Sequence, residues 1–233
     1  MSKDYPVFFN DEMVRAILDG RKSQTRRLIK LSHERGMLNP VVRGRNGEAS
    51  SVTCRLAPSL CPYGQPGDRL WVRETWALLG NEDGCCVDWH DNLCKGDERS
   101  AARVYRASCE RHPGDYGLWS IPDDADWKPH TENQKFDGAW RPSIHMPRWA
   151  CRILLEITNV RVERLNDISE ADAQAEGVTP STHQITPPEA VYRVGFGDIW
   201  RSIYGEESWE GNPWVWVVEF KRVQATSPKE ASQ

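Results

Sequence analysis

Apolar residues in this chain recur mainly at every second position, which is the spacing of β-strands. This pattern predicts strands in five segments, at 6–9, 69–73, 102–106, 151–165 and 214–223. Asn159 shifts the alternation within the fourth segment, so we expect a β-bulge at that residue. Most of the regular structure is therefore predicted to be sheet.

Three helices are predicted where apolar residues at helical spacing lie between typical start and stop residues. The first follows Asn10, a capping residue, and ends at or just before Gly20. The second is capped by Ser169 and stopped by Gly177, and the third covers 187–204. Strands and helices alternate too rarely for parallel βαβ units.

Long irregular stretches separate these elements, at about 31–66 and 77–142. The pattern predicts a β-rich, mixed α/β fold in which a small β-barrel carries a few short helices and two long insertions. We expect one domain over 1–223, and a polar, flexible tail at 224–233.

Composition narrows the class of protein. The chain has 233 residues, a mean hydropathy of −0.66 and 27% charged residues, which suits one folded domain with a polar surface. It has no run of about 18 apolar residues and no secretory signal, so membrane and secreted proteins are excluded. Seven cysteines are then expected to be free thiols in a reducing cytoplasm.

Charge is distributed unevenly along the chain. Residues 1–60 carry 11 Lys and Arg against 6 Asp and Glu, although the whole chain has a net charge of −4. A local basic surface on an acidic protein favours selective contact with a phosphate or nucleotide over general coating of DNA. Eleven tryptophans are present, and the alternation places Trp71, Trp214 and Trp216 in the core.

Several common catalytic motifs are absent from the sequence. It contains no Walker A motif, no complete G-x-G-x-x-G, no H-E-x-x-H and no G-x-S-x-G. The cysteines and histidines between 85 and 112 include enough zinc ligands, but their spacings match no regular zinc motif. We therefore predict no metal site and no cofactor.

The most informative segment is the basic run after the first helix, Gly20-Arg21-Lys22-Ser23-Gln24-Thr25-Arg26-Arg27. Basic side chains at a helix C-terminus interact favourably with the last carbonyl groups, and this alone explains their presence without any further function. If the turn is tight, however, Lys22 and Thr25 lie close together. A desolvated lysine near other cations has a lowered pKa and can activate a hydroxyl nucleophile. The neighbouring arginines would lower that pKa and attract an anionic or carbonyl-rich substrate.

This run resembles the signature of the ASCH domain, Gly-Arg-Lys-x-x-Thr-x-Arg after a short helix. Further blocks match in the same order: Gly67-Asp68 before a strand, Leu155-Glu156-Ile157, Ala175-Glu176-Gly177-Val178 and Val217-Val218-Glu219-Phe220-Lys221. The resemblance implies a PUA-like β-barrel. With the segments at 143–149 and 212–214, the chain is similar to the longer ASCH proteins of bacteriophages and prophages, which implies the cytoplasm of a bacterial host.

The resemblance also implies an activity. The smallest bacterial ASCH proteins are amidohydrolases of N4-acetylcytidine and related N4-acylcytosines, and their catalytic residues correspond here to Lys22, Thr25 and Glu176. In that mechanism the threonine attacks the amide carbonyl, the lysine activates it, and the glutamate assists proton transfer to the leaving amine. We therefore predict a metal-independent amidohydrolase acting on an N4-acylated or otherwise modified cytosine nucleoside or nucleotide.

Two alternatives stay open at this point. In the first, the chain is an RNA-binding module without amidohydrolase activity. In the second, it is a phage accessory protein that makes only protein contacts. Ribonuclease activity is a variant of the RNA-binding alternative, but the sequence shows no paired-histidine or metal–carboxylate site that could catalyse it. Binding to a nucleotide or single-stranded RNA is predicted to use seven arginine and tryptophan residues: Arg21, Arg26, Arg27, Arg73, Trp76, Arg148 and Trp149.

Overall fold

Strands of very different length and sequence position form the main sheet. The computed structural model describes residues 2–29, 40–43, 49–53, 55–81, 85–90, 92–94, 96–109, 139–183 and 185–223. The predicted tail at 224–233 and the potential zinc ligand His112 lie outside these residues.

Five strands are hydrogen-bonded in the order β1-β5-β8-β9-β2. They are β1 (Asp4–Phe8), β2 (Gln24–Leu28), β5 (Arg69–Arg73), β8 (Leu154–Arg164) and β9 (Trp214–Val223). Four short strands form two separate antiparallel ribbons: β3 (Val41–Arg43) with β4 (Ala49–Ser51), and β6 (Trp76–Leu78) with β7 (Arg103–Tyr105). The described strands thus form an open sheet and two ribbons, and no closed barrel is found among them.

Within the described ranges, six α-helices accompany the strands. They are α1 (Asp11–Leu18), α2 (Ala57–Leu60), α3 (Arg106–Cys109), α4 (Glu170–Ala175), α5 (Val191–Tyr204) and α6 (Glu206–Glu210), and there are 3₁₀ turns at Ser143–His145, Arg148–Ala150, Leu165–Asp167 and Pro188–Ala190. The β-rich, mixed α/β fold with a few short helices is confirmed. None of the described helices has the length and apolar character needed to cross a membrane.

The chain divides into two compact units, each built from segments that are distant in sequence. Unit 1 comprises 1–5, 16–70 and 154–233, and unit 2 comprises 6–15 and 71–153. The first predicted insertion therefore belongs to unit 1 and the second to unit 2. The first also contains regular elements, β3, β4 and α2, which were too short to show a hydrophobic period.

Unit 1 contains the long antiparallel pair β8–β9 and the edge strand β2. The register of β8 against β9 shifts between Ile157 and Asn159, so the predicted bulge is confirmed. One side of these strands is covered by a cluster of buried side chains from β9, α4 and α5, whose largest members are Phe196 and Trp200. Because Val215 and Val217 are buried along with Trp216 and Val218, β9 is covered on both faces.

Unit 2 contains the β6–β7 ribbon and a buried ion pair. Arg152 donates from Nε and Nη2 to the two carboxylate oxygens of Glu74, at 2.9 and 2.8 Å, and from Nη1 to Ser108 at 2.7 Å. Its guanidinium carbon lies 4.1 Å from the ring centre of Tyr105. Glu74 is fully buried, so this bidentate pair replaces the hydration that its carboxylate loses.

Candidate functional site

The chain between α1 and β2 turns sharply and lies against the end of α4. Gly20 has φ +73°, and the backbone N–H groups of Arg21 and Lys22 both donate to Ala16 O, at 2.8 and 2.9 Å. The next residue, Ser23, donates to Ala175 O at 2.8 Å. The sequence predicted that the first helix ends at or just before this glycine, and its left-handed backbone brings the basic run to α4.

The end of α4 is fixed by a second left-handed glycine. Ser169 caps the helix by accepting from the N–H of Asp172, as predicted, and Gly177 follows it with φ +80°. A Cβ atom at Gly177 would lie 2.8 Å from Cβ of Ala16 and 2.8 Å from Cβ of Lys22. Only glycine satisfies both the backbone angle and this close approach, which places Glu176 directly opposite Lys22.

Lys22 and Glu176 form a buried ion pair. Lys22 Nζ donates to Glu176 Oε2 and to Glu176 O, each at 2.8 Å, across 154 positions of sequence. The side chains are 1% and 5% exposed, and the two backbones form an antiparallel bridge. The structure therefore brings these two predicted site residues into direct contact.

Arg26 holds the other oxygen of the same carboxylate. Its Nη1 lies 3.2 Å from Glu176 Oε1, and its Nη2 lies 3.0 Å from Glu163 Oε2 and 3.6 Å from Asp172 Oδ2. The Arg26 side chain has no exposed surface. Both Glu176 oxygens are thus in contact with a basic side chain.

A further arginine completes the charged network. Arg161, on β8, donates from Nη2 to Asp172 at 2.8 Å and also contacts Glu163 and Glu219. Burial acts to raise the pKa of Asp172, but hydrogen bonding by Ser169 and the charges of Arg26 and Arg161 outweigh it, so this pKa is lowered. Asp172 is therefore stabilised in its charged form by the hydrogen bond of Ser169 and by two arginines.

The pKa of Lys22 lies below its ordinary value. Burial lowers it most, and the nearby charges of Arg27 and Arg26 act in the same direction, while the charge and hydrogen bond of Glu176 oppose them. A lysine with a lowered pKa releases and takes up a proton closer to neutral pH, which is the property required of an acid–base group.

Thr25 lies on the other face of β2. Gln24 Nε2 donates to Asp172 O at 2.6 Å and Arg26 contacts Glu176, so the side chains of both point toward α4. Because successive side chains alternate, the buried side chain of Thr25 leaves the opposite face, beside Val218. Its predicted role as nucleophile stays a prediction, and Lys22 and Glu176 are the two members of the set that the structure joins.

The basic run is only partly exposed: Arg26 is buried, whereas the side chain of Arg21 is 46% exposed. Arg26 is enclosed by carboxylates, and Arg21 donates to Gly177 O at 2.9 Å and pairs with Asp19 at 3.0 Å. Burial in the charged network leaves Arg26 no surface for a phosphate. Arg27 is half-buried, and its charge acts on Lys22 and Tyr63.

The other predicted binding residues lie in unit 2. Trp76 is 1% exposed, and its ring packs edge-on against Trp149 with 5.5 Å between centroids. A base cannot stack on a face that is buried in this way, so Trp76 is a core residue rather than a ligand platform. Arg73 and Arg148 instead contact Trp71, which is only half-buried although the alternation placed it in the core.

Sequence reasoning identified Glu176 but missed the other two acidic residues that enclose Arg26, Glu163 and Asp172. Asp172 and Glu176 are four positions apart and therefore lie on one side of the α4 end, while Arg161 and Glu163 share one face of β8. These spacings in the sequence could have indicated that the charged residues lie together. Within the ranges the structure describes, no group of three or more His, Cys, Asp and Glu is arranged to hold a metal ion.

A surface pocket of about 500 Å³ lies on the outer side of α4. Its lining includes Gly20, Arg21, Gln174, Ala175 and Tyr192, but neither Lys22 nor Glu176. The pocket is thus next to the buried pair in sequence without containing it. Comparison of the chain with protein-family models, with curated proteins and with solved structures finds no match.

Proposed function

We propose that this chain is an ASCH-like amidohydrolase of PUA-like fold that removes the acyl group from an N4-acylated cytosine nucleoside or nucleotide. The observation that carries the proposal is the buried contact between Lys22 Nζ and Glu176, 2.8 Å long. A buried ion pair contributes little to stability compared with apolar residues of similar size. A buried lysine with a lowered pKa and a defined carboxylate partner is typical of an acid–base site.

The proposed reaction begins with Thr25, whose role is implied by the resemblance. Its Oγ attacks the amide carbonyl carbon, and Lys22 in its deprotonated state accepts the hydroxyl proton through a water molecule, because Thr25 leaves the face of β2 opposite to the ion pair. The bond from the carbonyl carbon to the exocyclic N4 then breaks, and the ammonium of Lys22 returns the proton to N4. Water hydrolyses the resulting threonine ester, which releases the carboxylic acid and restores the hydroxyl.

Glu176 is proposed to set the orientation and charge of Lys22. Since Arg26 occupies Oε1 and Lys22 occupies Oε2, the carboxylate holds the amine in one place. It also stabilises the ammonium form that appears after proton uptake. Lys22 then donates this proton to the leaving amine, and Glu176 assists because it stabilises the ammonium form of Lys22.

The experiment is incubation of the full chain with N4-acetylcytidine, with released cytidine measured by chromatography. Lys22→Met should lower the rate by about 10²- to 10⁴-fold, the usual contribution of an acid–base group. Lys221→Met is the matched control, because Lys221 forms an exposed pair with Glu156 at 3.0 Å. Thr25→Val retains the shape of the side chain and should abolish turnover.

Two results would overturn the proposal. Unchanged turnover in Lys22→Met would remove the acid–base role, and the absence of turnover of any N4-acylcytosine by the unmodified chain would remove the activity. Full activity in Thr25→Val would reassign the nucleophile alone. Circular dichroism of each variant separates loss of chemistry from loss of fold.

A further inference from the structure

Two free cysteines of unit 2 lie directly opposite each other on neighbouring antiparallel segments. Cys94 N donates to Cys86 O at 2.9 Å, and an antiparallel bridge joins the adjacent residues Val87 and Leu93. This register makes the two cysteines a hydrogen-bonded cross-strand pair. Side chains of such a pair leave the same face of the two segments, so the two thiols are neighbours.

The register of these two segments, 85–88 and 92–94, is held by Asp88. Its Oδ1 accepts from the N–H groups of His90 and Asn92, at 2.8 and 2.9 Å, and Asp88 N donates to Asn92 O at 3.0 Å. We call the two segments the cysteine hairpin. Its turn fixes which residues face each other, so the opposition of the cysteines does not depend on a bond between them.

The spacing of such a pair suits a disulfide bond that is easily reduced. The Cα atoms of a hydrogen-bonded antiparallel pair are about 5.5 Å apart, within the range of about 4.4–6.8 Å found for disulfides. The Cβ atoms of such pairs are roughly 5 Å apart, farther than the roughly 3.5–4.5 Å of a relaxed disulfide. A bond at this position is therefore strained, and strained or exposed disulfides are the readily reduced ones.

The surroundings of the pair leave the thiols accessible. Cys86 is bridged on its other side to Gly80, which has no side chain to cover it, and both hairpin cysteines are half-buried. Cys61 and Cys109, in contrast, are buried, and burial raises their pKa values to about 11 and about 12. Within the described ranges the pair belongs to no group of three or more potential metal ligands, so its chemistry is that of a dithiol.

We propose that Cys86 and Cys94 are a reversible redox modification site, at which a low-molecular-weight disulfide such as oxidised glutathione forms a bond between them. The Cys86 thiolate attacks one sulfur of the oxidant, which gives a mixed disulfide and releases one thiolate. Cys94 then loses its proton and attacks Cys86 Sγ, which releases the second thiolate and leaves the protein disulfide. The two protein thiols lose two electrons, and the oxidant is reduced to two thiols.

The contacts of Cys94 assign it to the second step. Its thiol donates to Asn92 O at 3.7 Å. Partial burial raises its pKa most, and the negative charge of Asp88 acts in the same direction. A thiol that keeps its proton reacts slowly with a dissolved oxidant. Beside a mixed disulfide on Cys86, however, its attack is intramolecular and needs no encounter in solution.

Bond formation would restrain the part of unit 2 that continues the β6–β7 ribbon. Val87 N donates to Leu79 O at 3.0 Å, and Val87 O accepts from Ala102 N at 2.9 Å. The Val87 side chain, next to Cys86, is 2% exposed. Oxidation is therefore expected to slow hydrogen exchange at the amides of Val87 and Ala102. This site does not depend on the proposed amidohydrolase activity.

The experiment is incubation of the reduced, folded full chain with oxidised glutathione, followed by alkylation with iodoacetamide in urea and peptide mass spectrometry. Cleavage before Asp88 separates the two cysteines, so peptides that stay joined without reductant identify the bond. Alkylation of Cys86 and Cys94 should fall about tenfold or more, and reduced glutathione should restore it. Cys61 and Cys109 should be alkylated as before.

Cys85→Ser is the matched control, because Cys85 is exposed and adjacent to Cys86 but does not face Cys94, and it should leave bond formation unchanged. Cys94→Ser should stop the reaction at a mixed disulfide of Cys86 with glutathione. The proposal is overturned if Cys86 and Cys94 remain fully alkylated, if Cys85 forms the bond instead, or if the only bonds join two chains. Equally fast bond formation in urea would also overturn it, because the folded register would then have no part in the pairing. Unchanged hydrogen exchange in the oxidised chain would overturn the restraint on the ribbon.

Discussion

Gly177 and Lys22 approach each other so closely that a Cβ atom on Gly177 would lie 2.8 Å from Cβ of Lys22. The residue that ends α4 therefore also sets the distance between the two backbones that carry the candidate ion pair. Gly177 is a structural requirement of the site rather than a general helix terminator.

Replacement of this glycine should consequently cost stability. Gly177→Ala requires a left-handed backbone at a non-glycine residue as well as displacement of Ala16 and Lys22, which we expect to lower the free energy of unfolding by about 2–4 kcal/mol. Gly20→Ala is the control, because Gly20 has φ +73° but no atom within 4 Å of the added Cβ. Thermal or urea denaturation of the two variants measures the difference, and equal losses would contradict the packing argument.

The ion pair of unit 2 gives a second prediction. Glu74→Gln leaves Arg152 buried beside a neutral side chain and should lower the free energy of unfolding by about 3–5 kcal/mol. The control is Glu98→Gln, since Glu98 pairs with Arg141 where the two side chains are 52% and 41% exposed. That exposed pair should be worth about 1 kcal/mol or less by urea denaturation. A small effect at Glu74 would show that its carboxylate is not essential to the unit.

The lowered pKa of Lys22 predicts how stability depends on alkaline pH. In the folded chain Lys22 loses its proton at a lower pH than in the unfolded chain, whose lysine pKa is about 10.4. Between these two values the unfolded state binds more protons, so Lys22 makes the folded state more stable as pH rises.

Lys22→Met removes this contribution. The free energy of unfolding of the unmodified chain, minus that of Lys22→Met, should therefore increase with pH on the alkaline side up to about 10.4. Urea denaturation at a series of pH values measures the difference, and Lys221→Met supplies the reference for an exposed lysine. A difference that is independent of pH would show that the folded and unfolded pKa values of Lys22 are equal.

Asp172 gives the corresponding prediction for acid. Its folded pKa is lowered, with burial opposing and the hydrogen bond of Ser169 and two arginines prevailing. Its contribution is therefore present above an unfolded pKa of about 3.9 and is lost as pH falls through the folded value. Asp172→Asn should be less stable than the unmodified chain at neutral pH, and this gap should narrow in strong acid. A difference in the free energy of unfolding that stays constant with pH in denaturation experiments would contradict the lowered pKa of Asp172.

Local patterns in the sequence were sufficient for several elements. The cap at Ser169, the glycine after α4 and the bulge beside Asn159 each depend on a few neighbouring residues, and the structure confirms all three. The last strand was predicted with its observed limits, because its apolar run is long enough to identify β9.

The strand β2 could not be predicted in the same way. Gln24–Leu28 is polar and basic, so it has no hydrophobic alternation, and its stability comes from pairing with β9 and from carboxylates on β8 and α4. The contact between Lys22 and Glu176 was reached only through the resemblance to a family. The role of Arg26 was missed because its partners come from elements far along the chain.

The pairing of β2 with β9 also has a consequence for biosynthesis. The ribosome makes β2 long before β9, so Thr25 and Arg26 find their strand partners, Val218 and Val217, only after β9 has emerged. Until then the basic edge is exposed in a nascent chain whose neighbouring carboxylates on α4 have not been made or docked. Assembly of the sheet beside the candidate site is thus a late event, and nascent chains halted before Trp214 will lack the strand that pairs with β2.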